Sequence, residues 1–240
     1  MRSFHRRWMP CSTNRKIVVK YISEFFSWVC VALITLIPII NPISTAVLLL
    51  GISAHLSKKE RDRQIIRACI YMTAILVTFL LLGHLVMVAF GISIPGIRIA
   101  GGLVIGFLGF RMLFPDEGQI TGEGKQEAQQ KSDISFSPLA MPSLSGPGSI
   151  AAVITMSSSI NGRHGIDKLF AYTGIVLAII ITAILSWLIL RGAGTLRRLL
   201  GVNGINSLSR IMGFLLICIG AQFAINGVRD LALDVNFWKQ

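Results

Sequence analysis

The sequence predicts an all-α, polytopic membrane protein, and three observations carry that prediction. Hydrophobic residues make up 53% of the chain against 14% charged, with a mean hydropathy of +0.69, more apolar surface than a soluble domain can hide. Apolar segments recur at 25–53, 66–90, 96–114, 136–160, 169–190 and 208–228, each near or above the ~20 residues with which a helix crosses ~30 Å of hydrocarbon. Runs such as Ile75 to Leu82 and Ile175 to Leu185, interrupted only by Thr78 and Thr182, fit helices and lack the alternation of a membrane β-barrel. Six spans follow.

Residues 1–21 are a basic tail carrying Arg2, Arg6, Arg7, Arg15, Lys16 and Lys20. The apolar segment behind it is too long for a signal-peptide core and lacks a small-x-small cleavage site at its end, so the tail is not read as a signal peptide. The first span, 25–53, would be about 43 Å long as one helix, too long to cross untilted and too short to cross twice. A broken helix fits: Pro38 disrupts the first piece, Asn41 is a good cap and Pro42 suits the first turn of a second piece. The 66–90 span follows. In the 96–114 span, Gly101, Gly102, Gly106 and Gly109 suit close helix packing, with Gly102-x-x-x-Gly106 a generic form of that signal.

Residues 115–134 are polar, with Asp116, Glu117, Glu123, Glu127 and Asp133 against Lys125 and Lys131, and read as a linker. It separates a first three-helix unit, 22–114, from a second, 135–230, before a short tail at 231–240. In the fourth span Pro138 and Pro142 precede Gly146-Pro147-Gly148-Ser149, the same grammar as the first. The halves share Asn41-Pro42-x-Ser44 with Gly146-Pro147-x-Ser149, and Arg98-Ile99-x-Gly101 with Arg210-Ile211-x-Gly213, at offsets of 105 and 112 residues. Three spans per half give the second unit opposite polarity, an inverted repeat with helices 1 and 4 broken.

The formal charge of +12 belongs to the tail and loops, where basic residues orient spans, and nucleic acid is not expected as a partner. With the Lys58 to Arg67 loop, the linker and residues 191–207 in the cytoplasm, that side holds ten Lys/Arg against four in the opposite loops and C-terminal tail. Both termini are then outside, a placement the basic N-terminal tail opposes. Cys11, Cys30, Cys69 and Cys218 are scattered and form no Cys/His cluster, so no metal, redox centre or other cofactor is expected.

Each helix break exposes free N–H groups and a positive helix end within the membrane, with Ser44, Thr45, Ser145 and Ser149 as nearby hydroxyls. Such a site suits a carboxylate. The expected substrate residues are Asn41, Pro42, Ser44, Thr45, Ser145, Gly146, Pro147, Gly148 and Ser149; the other reading is a pair of proline kinks packed by neighbouring helices. No span interior contains Asp or Glu, which excludes a carboxylate proton relay, and His84 is the one titratable group in a span core. Arg111 and Arg191 at span ends read as snorkelling residues. Arg98 and Arg210, each about a turn into its span, read either as interfacial anchors or as gating, anion-steering residues. Trp28 and Trp187 lie where membrane-interface residues do.

Pro38-Ile39-Ile40-Asn41-Pro42, the stretch Phe90 to Gly102, Gly109-Phe110-Arg111-Met112-Leu113-Phe114-Pro115, and Pro138-Leu139-Ala140-Met141-Pro142 followed by Gly146-Pro147-Gly148 resemble the MarC family of bacterial inner-membrane proteins. The resemblance spans roughly residues 22–230. It implies six transmembrane helices, an inner-membrane location and kinship with the LysE-type exporters, relatives of which move amino acids. An archaeal member is associated with small neutral amino acids. The family name derives from a multiple-antibiotic-resistance locus through gene neighbourhood, and nothing in these residues shows a drug pocket. The basic tail at residues 1–21 departs from the family pattern, and an upstream start codon called in error would explain both the tail and its conflict with the charge bias.

The expected function is secondary transport or export of small amino acids or related polar metabolites by a lipid-embedded protein, with homo-oligomers allowed. A multidrug efflux protein and a non-transporting structural or regulatory protein are the alternatives. An enzyme is not expected, because the spans offer no acid pair and no His/Cys cluster.

Overall fold

The computed structural model describes residues 11–53, 56–114, 134–160 and 165–233. Residues 1–10 of the basic tail, 115–133 of the linker and 234–240 of the C-terminal tail lie outside the described residues. Every element among the described residues is helical: α1 Cys11–Ile40, α2 Pro42–Ile52, α3 Lys58–Phe90, α4 Ile94–Leu113, an irregular α5 Ser135–Leu144, α6 Pro147–Ile160, α7 Ile166–Arg191 and α8 Ala193–Leu233. From Cys11 onward the basic tail already belongs to α1.

Local chemistry sets the boundaries. α1 passes through Pro38 and breaks at Asn41, which sits in the left-handed region at φ 43° and ψ 67°. Ser57 and Glu60 cap the start of α3 reciprocally, each side chain accepting the other's backbone N–H, at 3.3 and 3.0 Å. The helix ends on left-handed Gly91, and Ser93 caps α4 by accepting from the Gly96 N–H. Within α5, Ser137 and Met141 are extended, at φ −127° and −128°. Each precedes a proline, whose ring pushes its predecessor out of helical geometry. Backbone bonds here reach five residues back, Leu139 N–H to Ile134 O and Ser145 N–H to Ala140 O. α8 is broken at Gly201, φ 64° and ψ 179°, a conformation open to glycine.

Among the described residues, five stretches are long and apolar enough to cross a membrane: Tyr21–Ile52 across the α1–α2 break, α3, α4, α7 and the Asn203–Leu233 part of α8. The expected sixth, 136–160, is instead divided into α5 and α6, of 10 and 14 residues, because its prolines and glycines interrupt the helix. The segment runs parallel to α3, with Phe136 against Tyr71, Gly83 beneath Ile154 and Ser158 on Met87. α1 and α2 pack on α7, while α3 packs on α5, α6 and α7. Leu36, Leu49, Met72, Leu76 and Ile105 are among the fully buried core, whereas Leu81, Val88, Phe90, Leu103, Phe107 and Leu188 face outward. An apolar exterior of this kind suits lipid.

The most extensive contact in the molecule joins α4 to α8, antiparallel, through glycines. A Cβ built on Gly109 would lie 2.5 Å from the Gly213 carbonyl oxygen, and one on Gly102 would lie 2.5 Å from that of Gly220. Backbone meets backbone here, so only a residue without a side chain fits. At one end of the bundle Arg98 of α4 pairs with Asp230 of α8 and donates to Ser159 of α6 at 3.1 Å. At the other end Arg191 lies 3.9 Å from Asp62.

Candidate functional site

The α1–α2 break and the start of α6 come together around a cavity of about 400 Å³. Asn41, Ser44 and Thr45 line one side, and Ser143, Gly146, Pro147, Gly148 and Ser149 the other. Leu108, Arg111 and Met112 from the last turns of α4, with Leu216 of α8, complete the wall next to Ile39 and Ile40.

Asn41 organises the first side. Its left-handed backbone turns α2 away from α1, its Oδ1 accepts from the Ser44 N–H at 3.3 Å, and its amide donates to Ser44 Oγ at 3.1 Å and Met112 Sδ at 3.2 Å. Asparagine suits both tasks, tolerating this conformation and capping well. On the opposite side, proline at the first position of α6 and two small residues after it leave the helix start uncovered, and Ser149 Oγ turns back to the Gly146 carbonyl at 2.8 Å. The two sides meet directly, Thr45 Oγ1 lying 2.8 Å from Ser143 Oγ.

Two helix N-termini therefore open on one cavity, and their first N–H groups have no acceptor within their own helices. The charged residue of the wall among the described residues is Arg111, its guanidinium 5.9 Å from the Phe107 ring centroid, and no carboxylate among them lines the space. The wall offers converging donors and hydroxyls on an apolar floor, an arrangement chemically matched to a small anionic or zwitterionic group.

Of the sequence-predicted residues, Asn41, Ser44, Thr45, Gly146, Pro147, Gly148 and Ser149 all line the cavity. Pro42 and Ser145 are buried beside it and not in its wall, Ser145 Oγ having no hydrogen-bond partner. Arg98 and Arg210 are not in the wall either. Arg98 lies roughly 20 Å along α4 from Arg111 and is held by Asp230 and Ser159, and Arg210 is exposed. His84 is on the exposed face of α3. Arg111, Met112 and Ser143 are wall residues that the sequence reading did not assign to the site. The signal for Arg111 was its placement beside the Gly109-Phe110-Arg111-Met112 stretch, masked by the ordinary reading of an arginine at a span end.

Comparison with known proteins decides the relationship. A profile described as MarC family integral membrane protein matches residues 26–232. The chain belongs to the MarC family. An inner membrane protein MarC of Citrobacter koseri is 43% identical over 219 residues, covering 87% of this chain and 97% of the relative. That of Escherichia coli K12 is 41% identical over 214 residues, with the same coverage. No solved structure matches the chain. Membership of the MarC family makes this an integral inner-membrane protein, and its several long apolar helices agree with a multi-pass arrangement. In this MarC-family chain the matched region includes the whole cavity wall.

Proposed function

We propose that the protein is a secondary transporter, or exporter, of small amino acids or related small polar metabolites, and that the α1–α2 and α5–α6 breaks form its substrate site. The single observation that carries this reading is the convergence of two interrupted helices on one cavity lined by hydroxyls and an arginine. Backbone left irregular within an apolar bundle is tolerated where it lines a cavity, and broken helices facing each other are how many secondary transporters hold charged ligands.

In this reading α5 and α6 together make a sixth crossing, and the halves form an inverted repeat. The pairing of elements supports it, because α1 and α2 lie on α7 as α3 lies on α5 and α6, the exchange a two-fold axis would produce. The glycine seam supports it too. Gly102 and Gly109 are seven residues apart, as are Gly213 and Gly220, and exchanging the two pairs at an offset of 111 swaps the Gly102–Gly220 contact with the Gly109–Gly213 contact.

The substrate carboxylate would take first-turn N–H groups of α6, that of Ser44 in α2 being held by Asn41 Oδ1, with Arg111 as counter-charge and Ser44, Ser143 and Ser149 as neutral partners. A cavity of this size with a polar rim suits a small ligand better than a bulky amphiphile, which sets the multidrug reading second. Proteoliposomes loaded with labelled neutral amino acids, with and without sodium and proton gradients, test the proposal. Flux of at least one substrate is expected, and Arg111→Gln is expected to raise its apparent KM severalfold. No flux of any amino acid under any gradient would leave the structural or regulatory reading standing.

A further inference from the structure

The two helix breaks supply more acceptors than donors. α1 ends at Ile40 and α2 starts at Pro42, so the carbonyls of Pro38, Ile39 and Ile40 have no following turn to donate to them, and Pro42 brings no N–H. The N–H groups of Ser44 and Thr45 already go to Asn41. At the second break Ser145 N–H closes the last turn of α5 on the Ala140 carbonyl at 2.7 Å, Ile150 N–H and Ser149 Oγ both go to the Gly146 carbonyl, and Pro147 has no N–H to give. Among the described residues no group donates to the carbonyls of Ser143, Leu144 and Ser145. Leu144 and Ser145 are fully buried, and a buried carbonyl in that state needs a partner from outside the chain.

One side chain distinguishes the second break from the first. Ser145, the residue on which α5 ends, has a buried hydroxyl that meets no donor or acceptor. At the 105-residue offset that matches the two breaks, the first half has Ile40 in its place. A hydroxyl at this depth lowers stability unless something meets it, and here it stands in the same short run as three carbonyls in the same condition. Thr45 Oγ1 and Ser143 Oγ, 2.8 Å apart, flank that run on its cavity side.

We propose that the end of α5 is a cation site, in which the carbonyl oxygens of Ser143, Leu144 and Ser145 and the hydroxyl oxygen of Ser145 hold an alkali cation. Oxygen donors suit hard cations, and an uncharged set of them matches a single charge, whereas Ca²⁺ and Mg²⁺ sites are built on carboxylates. A single water has two hydrogens to offer for three carbonyls. One cation takes all three and the hydroxyl oxygen as well. In the transport reading, on which this role alone rests, the ion is the coupling ion, held a few residues from the α6 N–H groups that take the substrate carboxylate.

Binding is tested without substrate. Purified protein in detergent is titrated with NaCl or KCl, choline chloride keeping the ionic strength constant, and the thermal midpoint is followed. A saturable rise with Na⁺ or K⁺ is expected, the more effective of the two identifying the ion. Ser145→Ala should move that titration to severalfold higher concentration while leaving the midpoint in choline unchanged or higher, because the hydroxyl it removes has no partner there. Ser145→Cys, nearly the same size, should weaken the titration in the same way, since sulfur is a poor partner for a hard ion. No response of the parent protein to either cation would overturn the site and leave its oxygens to water. An unaltered titration in both variants would place the ion elsewhere and overturn it equally. The two readings fail apart: stabilisation by the cation without flux of any amino acid removes the transport reading and keeps the site, and flux without stabilisation removes the site and keeps transport.

Discussion

At Asn41 a single residue performs three tasks: it reverses the chain in the left-handed region, caps α2 through Oδ1, and reaches Met112 across the cavity with its amide. The tasks can be separated by substitution. Glycine keeps the backbone conformation and loses the cap, which costs a few tenths of a kcal/mol, whereas alanine loses the cap and must also adopt the left-handed region, for a total of about 2 kcal/mol. Asn41→Ala is therefore expected to lower the thermal midpoint in detergent clearly more than Asn41→Gly, and both should weaken substrate binding. Equal loss of stability from the two would show that the backbone conformation is not what the asparagine secures. Gly148 is another point of contact, since a Cβ there would meet Ile105 Cγ1 at 3.0 Å and Ile39 Cγ2 at 3.4 Å. Gly148→Val should crowd the cavity floor and abolish transport, while Ser149→Ala, which removes only an oxygen, should leave folding intact and alter KM. Asn41, Pro42 and Gly146 to Ser149 were legible from sequence because capping and proline rules are local. Arg111 was not, because its role depends on how deep the end of α4 sits beside the break, and that depth is set by packing against α8. The Arg98–Asp230 pair was equally hidden, its partners being 132 residues apart.

Among the elements, α4 and α8 meet backbone against backbone at their glycines. At Gly220 an added Cβ would lie 2.5 Å from the Gly102 oxygen and 2.6 Å from the Gly106 nitrogen, whereas at Gly106 nothing lies within 4 Å. Gly220→Ala must move one backbone off another and is expected to destabilise the protein by about 1–3 kcal/mol, read as loss of folded material on heating. Gly106→Ala is expected to be neutral or slightly stabilising. Similar effects from both would mean that the seam tolerates separation. Sequence rules found the small-residue run of α4 but not its partner on α8; the structure brings Gly109 to Gly213 and Gly102 to Gly220. Which glycine faces the partner depends on helix rotation, which spacing alone leaves open. The irregular α5 was foreshadowed by Pro138 and Pro142, whose predecessors Ser137 and Met141 leave helical geometry, while the continuation of α1 through Pro38 was not. Near a helix end the hydrogen bond that proline removes is one the next turn scarcely misses.

For the molecule as a whole, charge and geometry agree on two ends. Arg191 and Asp62 mark the end with the α2–α3 and α7–α8 connections, and Arg98, Ser159 and Asp230 mark the other, from which α8 leads to the C-terminus. The excess of Lys/Arg on the first end predicts that it faces the cytoplasm, so reporter fusions at Gln240 should register outside; a cytoplasmic signal there would invert the whole assignment. Pro42 and Pro147, which start the two helices at the cavity, bear on time as well as on shape. Neither ring can supply an N–H to the preceding turn, and a continuous helix through Pro42 would drive its ring into the carbonyl of Pro38. Healing either interruption would cost the ~3 kcal/mol that a proline exacts inside a helix. A molecule arriving there meets an opening that is already made, and one leaving need not wait for any segment to rewind. In the transporter reading, passage at this point does not wait on helix–coil relaxation.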